Sequence, residues 1–271
     1  MNVAIAGLGL IGGSLALALK AHHHVTGFDV DPKTRDAARA GGIDTVDRLD
    51  DVLPADVAIV ATPLASVVTT LAELCEHAGS AVLMEVGSLK AAVAAFAETA
   101  PTTARIVGAH PMAGATTAGF AAARGELFRG RPFLIVPTAR SDAKAMAVAG
   151  DIARDVGGVA TVCSAVVHDR AMAYLLAAPL AAASALAVAG AEAGALLPLA
   201  GPGFRDTTRL AGTPLDLAEQ LLSANAGNVV AALAALRTAL QEIESAVADR
   251  DRDALRSILG RAAEARRRID P

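Results

Sequence analysis

The chain has no tryptophan, one tyrosine and only two cysteines among its 271 residues. Aromatic side chains make up 3% of a composition that is 54% hydrophobic, so the interior has to be filled by Ala, Val and Leu, small residues that let helices pack closely. Cys75 and Cys163 lie far apart and outside any CxxC pattern, which excludes a disulfide framework and a zinc site and fits a reducing, cytoplasmic location. No metal is expected. There is also little excess charge of either sign: 24 basic against 28 acidic side chains give a net charge of -4, spread along the chain. That balance argues against a nucleic-acid partner or an acidic tail and leaves a small molecule as the expected ligand.

The apolar N-terminus, MNVAIAGLGLIGGSLALALK, lacks the basic start of a signal peptide. One stretch, AMAYLLAAPLAAASALAVAGA (171–191), is free of charge over a length that can cross a bilayer. It is built of Ala rather than Leu or Ile, contains Pro179 and has no companion, so it is expected as a central helix buried on all sides in a domain or subunit interface, with no membrane involved.

The first part of the chain alternates β-branched runs with helical patterns. Strands are expected at NVAIAG (2–7), HVTGFD (24–29), DVAIVAT (56–62), SAVLMEV (80–86), ARIVGAH (104–110), PFLIVP (132–137) and VATVC (159–163). Helices are expected between them at 11–21, 32–40, 64–78, 88–98 and 142–156. Residues 1–164 therefore read as a doubly wound α/β domain with a parallel sheet, of Rossmann type. From 165 to 271 the strand signal disappears, and helices are expected near 166–192, 203–210, 214–223, 225–249 and 251–268. So much alanine on helices that need a partner predicts that this all-α domain packs against a copy of itself, in a homodimer. No regulatory domain is expected after it.

GLGLIG places G-x-G-x-x-G at Gly7, Gly9 and Gly12, directly after the first strand and at the mouth of the first helix. Gly7 allows the tight turn, Gly9 lets the backbone approach a pyrophosphate, and Gly12 lets helix and strand pack closely; Leu8, Leu10 and Ile11 complete the loop whose N–H groups face the phosphates. Asp29, ending the second strand, is the acid expected to bond the ribose hydroxyls of NAD and to repel the extra phosphate of NADP. Lys33 is the one nearby cation that blurs this preference for NAD. Thr62 and Pro63 lie at the end of the third expected strand (56–62), where they are expected to line the nicotinamide side. The run His22–His24 falls on the opposite face and is expected in a solvated turn, since adjacent histidines cannot all reach one ion.

In GAHPMAG (108–114) a proline follows His110 and holds it extended at a strand end. From the heptapeptide alone, the histidine either caps a strand or serves as a positioned acid or base. The motifs GLGLIGGSLALAL, VATPL, EVGSLK, GAHPMAG, HDRAMA and GFRDTTRLAGTP, in this order over almost the whole chain, resemble the prephenate/arogenate dehydrogenase family of tyrosine biosynthesis. The resemblance implies a nucleotide-binding domain, a helical dimerisation domain, and NAD(P)-dependent oxidative decarboxylation of a cyclohexadienyl ring to an aromatic one. It also implies that His110 is the catalytic base at the ring hydroxyl, that Ser88 bonds both that histidine and the hydroxyl, and that Arg209 grips a substrate carboxylate. Alone, Ser88 reads as a helix N-cap and Arg209 as the partner of Asp206 or Asp216.

Two departures concern the substrate. Where the family often has a segment of the form SHLPH, this chain has LAAPL, so Leu176 and Leu180 replace two polar pocket residues one helical turn apart. After HPMAG the chain has Ala115 and Thr116 where prephenate-using members often carry an acid; Thr116 can donate a bond but bears no charge. Three readings stand: an arogenate or prephenate dehydrogenase, a related dehydrogenase recruited to a modified prephenate or another small hydroxy acid, and a sensor that binds NAD and a carboxylate without turnover.

Overall fold

Short β-branched runs buried on both faces can satisfy their backbone only by pairing with one another, and they do so in one sheet. The structure, a computed structural model, describes residues 1–114 and 117–269. Its strands are β1 (Asn2–Ala6), β2 (His24–Phe28), β3 (Asp44–Thr45), β4 (Val57–Val60), β5 (Val82–Glu85), β6 (Arg105–Pro111), β7 (Pro132–Pro137) and β8 (Val159–Val162), in the order β3-β2-β1-β4-β5-β6-β7-β8. The helices between them are α1 (Leu10–Leu19), α2 (Pro32–Ala40), α3 (Val67–His77), α4 (Ala91–Thr99) and α5 (Ala143–Asp155). Local chemistry fixes several starts: Asp31 accepts from the Lys33 and Thr34 N–H groups with Pro32 beginning α2, and Asp142 accepts from Ala145 N at the start of α5. Apolar side chains of α1 and α5, such as Leu15, Leu19 and Ile152, fill one face of the sheet, and those of α3 and α4, such as Leu71, Leu74, Val93 and Ala97, fill the other.

The sheet is not wholly parallel. β7 runs antiparallel to β6, with His110 opposite Leu134, because the described residues of the connection from 112 to 131 form no α-helix to carry the chain back across the sheet. The two-residue β3 pairs with β2 and was not expected. The histidine run is not a solvated turn throughout: His24 lies in β2, and the mostly buried His23 side chain bonds Asp155 of α5 at 2.8 Å.

The remaining helices are α6 (Ala165–Met172), α7 (Ala178–Gly190), α8 (Pro202–Thr208), α9 (Leu215–Ser223), α10 (Ala226–Ala248) and α11 (Arg252–Arg267). The chain packs as two compact units, one of Met1–Met172 with Gly212–Ala224 and one of Ala173–Ala211 with the chain from Asn225 onward. α6 and α9 thus belong with the sheet: Asp169 of α6 bonds the start of α4, and Gln220 of α9 accepts from the Ala65 N–H.

In the second unit α10 packs on α7 and α11 on α10, while Phe204 of α8 occupies the space a side chain at Gly190 would need. The expected helix 166–192 is interrupted by a π-helical turn at Ala173–Ala177, just before Pro179, whose ring and missing N–H forbid a regular turn there. Within one chain the 171–191 stretch is not buried on all sides. Tyr174, Leu175 and Val188 are exposed, Val188 by 73%, because the few helices of this unit cover only the side carrying Ala173, Ala177, Leu180 and Ala183. By length and composition the wider segment Ala165–Leu199 could cross a membrane.

Candidate functional site

A parallel sheet with helices on both faces leaves its crevice at the carboxyl ends of the strands, where the crossovers change direction. Here that point lies between β1 and β4, and a cavity of about 880 Å³ opens there, lined by Gly7, Gly9, Leu10, Ile11, Asp29, Thr62 and Pro63 among others. The three glycines have distinct physical reasons. Gly7 has φ +92°, and a methyl group on it would lie 2.6 Å from the Ala61 carbonyl oxygen. At Gly12 a methyl group would overlap the Gly7 carbonyl oxygen, whereas at Gly9 it would meet nothing within 4 Å and would project into open space. Gly9 is the N-cap of α1, so the first N–H groups of that helix lack partners within it. Leu8 is fully buried beneath the loop, and its N–H donates to Asp29 Oδ2 at 2.8 Å.

Asp29 is held by a second bond, from Asp31 N to Oδ1 at 2.9 Å, which sets its carboxylate at the rim of the cavity. Thr62 Oγ1 is buried with no hydrogen-bond partner, an orphan polar atom in a cavity wall. An open glycine step, free helix N–H groups, a fixed acid and an orphan hydroxyl fit a dinucleotide. The cations near the Asp29 end are Arg35, which donates to the Asp29 carbonyl at 2.7 Å, and Arg48, which lines the cavity beside Asp50; sequence reasoning named only Lys33. It also missed Pro214 and Leu217, which line the same cavity from the start of α9.

His110 stands at the carboxyl end of β6 and is 8% exposed. Behind it lies a network of buried side chains. His110 Nδ1 is 3.0 Å from His168 Nε2, and His168 Nδ1 is 2.7 Å from Asp169 Oδ1. Asp169 also accepts from Lys90 N and Ala91 N, both at 2.8 Å, and so caps α4 from another part of the chain. Lys90 forms an ion pair with Glu85 of β5, at 1% and 0% side-chain exposure, and Glu85 also accepts from Gly87 N. Burial pushes Glu85 up and Lys90 down, each opposed by the other's charge. Burial also holds the His110 pKa well below its ordinary 6.5, helped by the charge of Lys90 and, whenever that ring is protonated, by His168. Burial raises Asp169, but hydrogen bonds from His168, Lys90 and Ala91 outweigh it and leave the carboxyl below its ordinary range.

Ser88 lies in the turn after β5, and since Glu85 pairs with Gly108 that turn runs alongside the end of β6. Among the described residues its hydroxyl makes no hydrogen bond and caps no helix: α4 starts at Ala91, and Asp169 supplies the cap. The partner of His110 is His168 instead. In the second unit Leu180 is buried and Leu176 half-buried, while Arg209 is exposed and forms no ion pair among the described residues. Thr116 lies outside the described residues. His168, Asp169, Lys90 and Glu85 were missed as a group. Glu85 inside an otherwise apolar strand run was the one local signal, since a carboxylate there needs a buried partner.

Two family models match the chain: the nucleotide-binding domain of prephenate dehydrogenase over residues 15–162, and the dimerization domain of prephenate dehydrogenase over residues 164–261. Prephenate dehydrogenase of Bacillus subtilis is 33% identical over 78% of this chain, a match that spans 60% of that protein's length. Cyclohexadienyl dehydrogenase of Zymomonas mobilis is 31% identical over 94% of this chain and 91% of its own. The arogenate dehydrogenase structure from Synechocystis superposes with a TM-score of 0.85 at 26% identity, covering 99% of this chain and 100% of that one.

Proposed function

Because the chain belongs to the prephenate dehydrogenase family, a family of oxidoreductases, we propose that it oxidatively decarboxylates prephenate or arogenate with NAD as cofactor and His110 as the base. The observation that carries this is the setting of His110: a histidine at the same carboxyl edge of the sheet as the dinucleotide cleft, kept neutral by burial and by a neighbouring cation.

Bound in the cleft, NAD supplies a hydride acceptor. The N–H groups at the start of α1 take the pyrophosphate, with Gly9 giving it room, and Asp29 takes the ribose hydroxyls and disfavours a phosphate in their place. Leu10, Ile11, Thr62 and Pro63 complete the walls, and Leu8, buried beneath the loop, holds Asp29 through its N–H. His110 accepts the proton of the ring hydroxyl as that carbon becomes a carbonyl, and carbon dioxide leaves from the opposite ring carbon as the ring becomes aromatic. A neutral imidazole is ready to take a proton at once. Ser88, its hydroxyl uncommitted, orients the reacting hydroxyl, and Arg209, its guanidinium uncommitted, holds a substrate carboxylate. Thr116 is assigned a substrate contact as well. The reaction runs in the cytoplasm, in a homodimer joined through the second unit, whose exposed Leu175, Val188 and Leu199 call for a partner surface.

A second reading, a dehydrogenase for a less polar relative of prephenate, is favoured by the apolar Leu176 and Leu180. One assay separates the two: pure protein with NAD and either prephenate or arogenate, followed at the absorbance of NADH. Turnover of either supports the first reading, and failure with both while NAD binds overturns it. His110→Ala should lower kcat by about two to four orders of magnitude with NAD affinity unchanged.

A further inference from the structure

A base must present a lone pair to its substrate, and imidazole carries one lone pair and one N–H that can exchange places. Something has to decide which nitrogen is which. We propose that His168 and Asp169 are positioning residues that fix His110 as the tautomer with its proton on Nδ1 and its lone pair on Nε2. This inference rests on the reading of His110 as the base.

The relay of hydrogen bonds starts at Asp169. Its Oδ2 accepts from Ala91 N, and its Oδ1 accepts from Lys90 N and faces His168 Nδ1 at 2.7 Å. Two backbone donors at the start of α4 commit the group to the carboxylate form, which can only accept. His168 Nδ1 therefore carries a hydrogen. In the neutral ring His168 Nε2 is then an acceptor, and the atom 3.0 Å from it, His110 Nδ1, has to be the donor. His110 Nε2 is left with the lone pair, and it has no hydrogen-bond partner among the described residues. The carboxylate thus sets the proton position two rings away.

Charge balance favours the same arrangement during turnover. The groups packed behind His110 are Glu85 from β5, Lys90 before α4, and His168 and Asp169 from α6. With both imidazoles neutral, the pair Glu85–Lys90 cancels and Asp169 leaves one negative charge. When His110 takes the substrate proton on Nε2, no other proton moves, and the resulting imidazolium faces that uncompensated charge through His168.

Two experiments test this, one of them independent of activity. In wild-type protein with isotope-labelled histidine, NMR correlating ring nitrogens with ring protons should report His110 protonated on Nδ1 and bare on Nε2 at neutral pH. A proton found on Nε2 instead overturns the proposal, whatever the enzyme turns over. His168→Phe removes the acceptor while keeping a planar ring; kcat should fall roughly a hundredfold, with NAD affinity and substrate KM within about twofold. His168→Gln, whose amide oxygen can still accept from His110, should recover a large part of that loss. Unchanged kcat in His168→Phe, or equal loss in both variants, overturns the proposal. If His110→Ala is as active as wild type, the reading of His110 as base fails, and the NMR result still decides the tautomer.

Discussion

At the carboxyl edge of the sheet, the cleft beside β1 and β4 is made of backbone, whereas the backing of His110 beside β6 is made of buried charged side chains. In the first, glycines clear space and the N–H groups at the start of α1 lack partners within the helix, so backbone is offered to a ligand. In the second, Glu85, Lys90, His168 and Asp169 are committed to one another, and only the far nitrogen of His110 is left over. A cofactor that enters and leaves needs an uncommitted surface. A base that must hold one protonation state needs a committed one.

The comparison breaks most visibly if charge is removed from the backing. Lys90→Met should cost about 3–5 kcal/mol of folding stability, because Glu85 is then left buried and unpaired, and Glu85→Gln added to it should recover most of the loss in urea unfolding. In the cleft the two inner glycines should differ from each other. Gly12→Ala forces the loop apart and should abolish NAD binding, while Gly9→Ala should leave the melting temperature nearly unchanged and weaken NAD by about ten- to a hundredfold in calorimetry, or roughly 1.4–2.7 kcal/mol. Asp29→Ser removes the repulsion of a ribose phosphate and should lower the preference for NAD over NADP by about tenfold, read as the ratio of kcat/KM values.

The smallest effect is on pH dependence. The folded pKa of His110 lies below its ordinary 6.5, so the unfolded chain binds the proton first as the solution is acidified. Stability from this group is full above pH 6.5 and is lost as pH falls toward the folded value. His110→Gln should flatten that part of the profile, read from urea unfolding repeated at a series of pH values, and kcat of the wild type should hold its plateau below pH 6.5. An acid limb of kcat centred above 6.5 would show that the backing does not keep the ring neutral.

The two regions were not equally legible in the sequence. The cleft is written in contiguous residues: strand, glycine spacing and the acid at position 29 all lie within one crossover, and Gly7, Gly12 and Asp29 occupy the places that spacing required. The backing of His110 is assembled from β5, the start of α4, β6 and α6, and Asp169 reaches a helix N-terminus 78 residues away in the chain. No periodicity encodes such a meeting. Ser88 illustrates the same limit, since a serine before a helix reads as a cap, yet the cap came from elsewhere. The antiparallel β7 was hidden for a related reason: strand patterns carry no direction, and only the missing crossover helix after β6 reveals it. For residues 171–191 one chain covers only one side of the helix, because composition reports how apolar a helix is, not how many neighbours one chain supplies.

The cap that Asp169 places on α4 has a consequence for how far the nucleotide half can stand alone. A fragment ending at residue 164, where the strand pattern stops, would keep every glycine of the cleft and yet lose the acceptor for two helix N–H groups, together with His168, the partner of His110. On a ribosome the same dependence becomes an order of events: the sheet can assemble first, but His110 meets His168 only after the residues from the next helix have emerged. The glycine loop travels with the first half of the chain, and the surroundings of His110 do not.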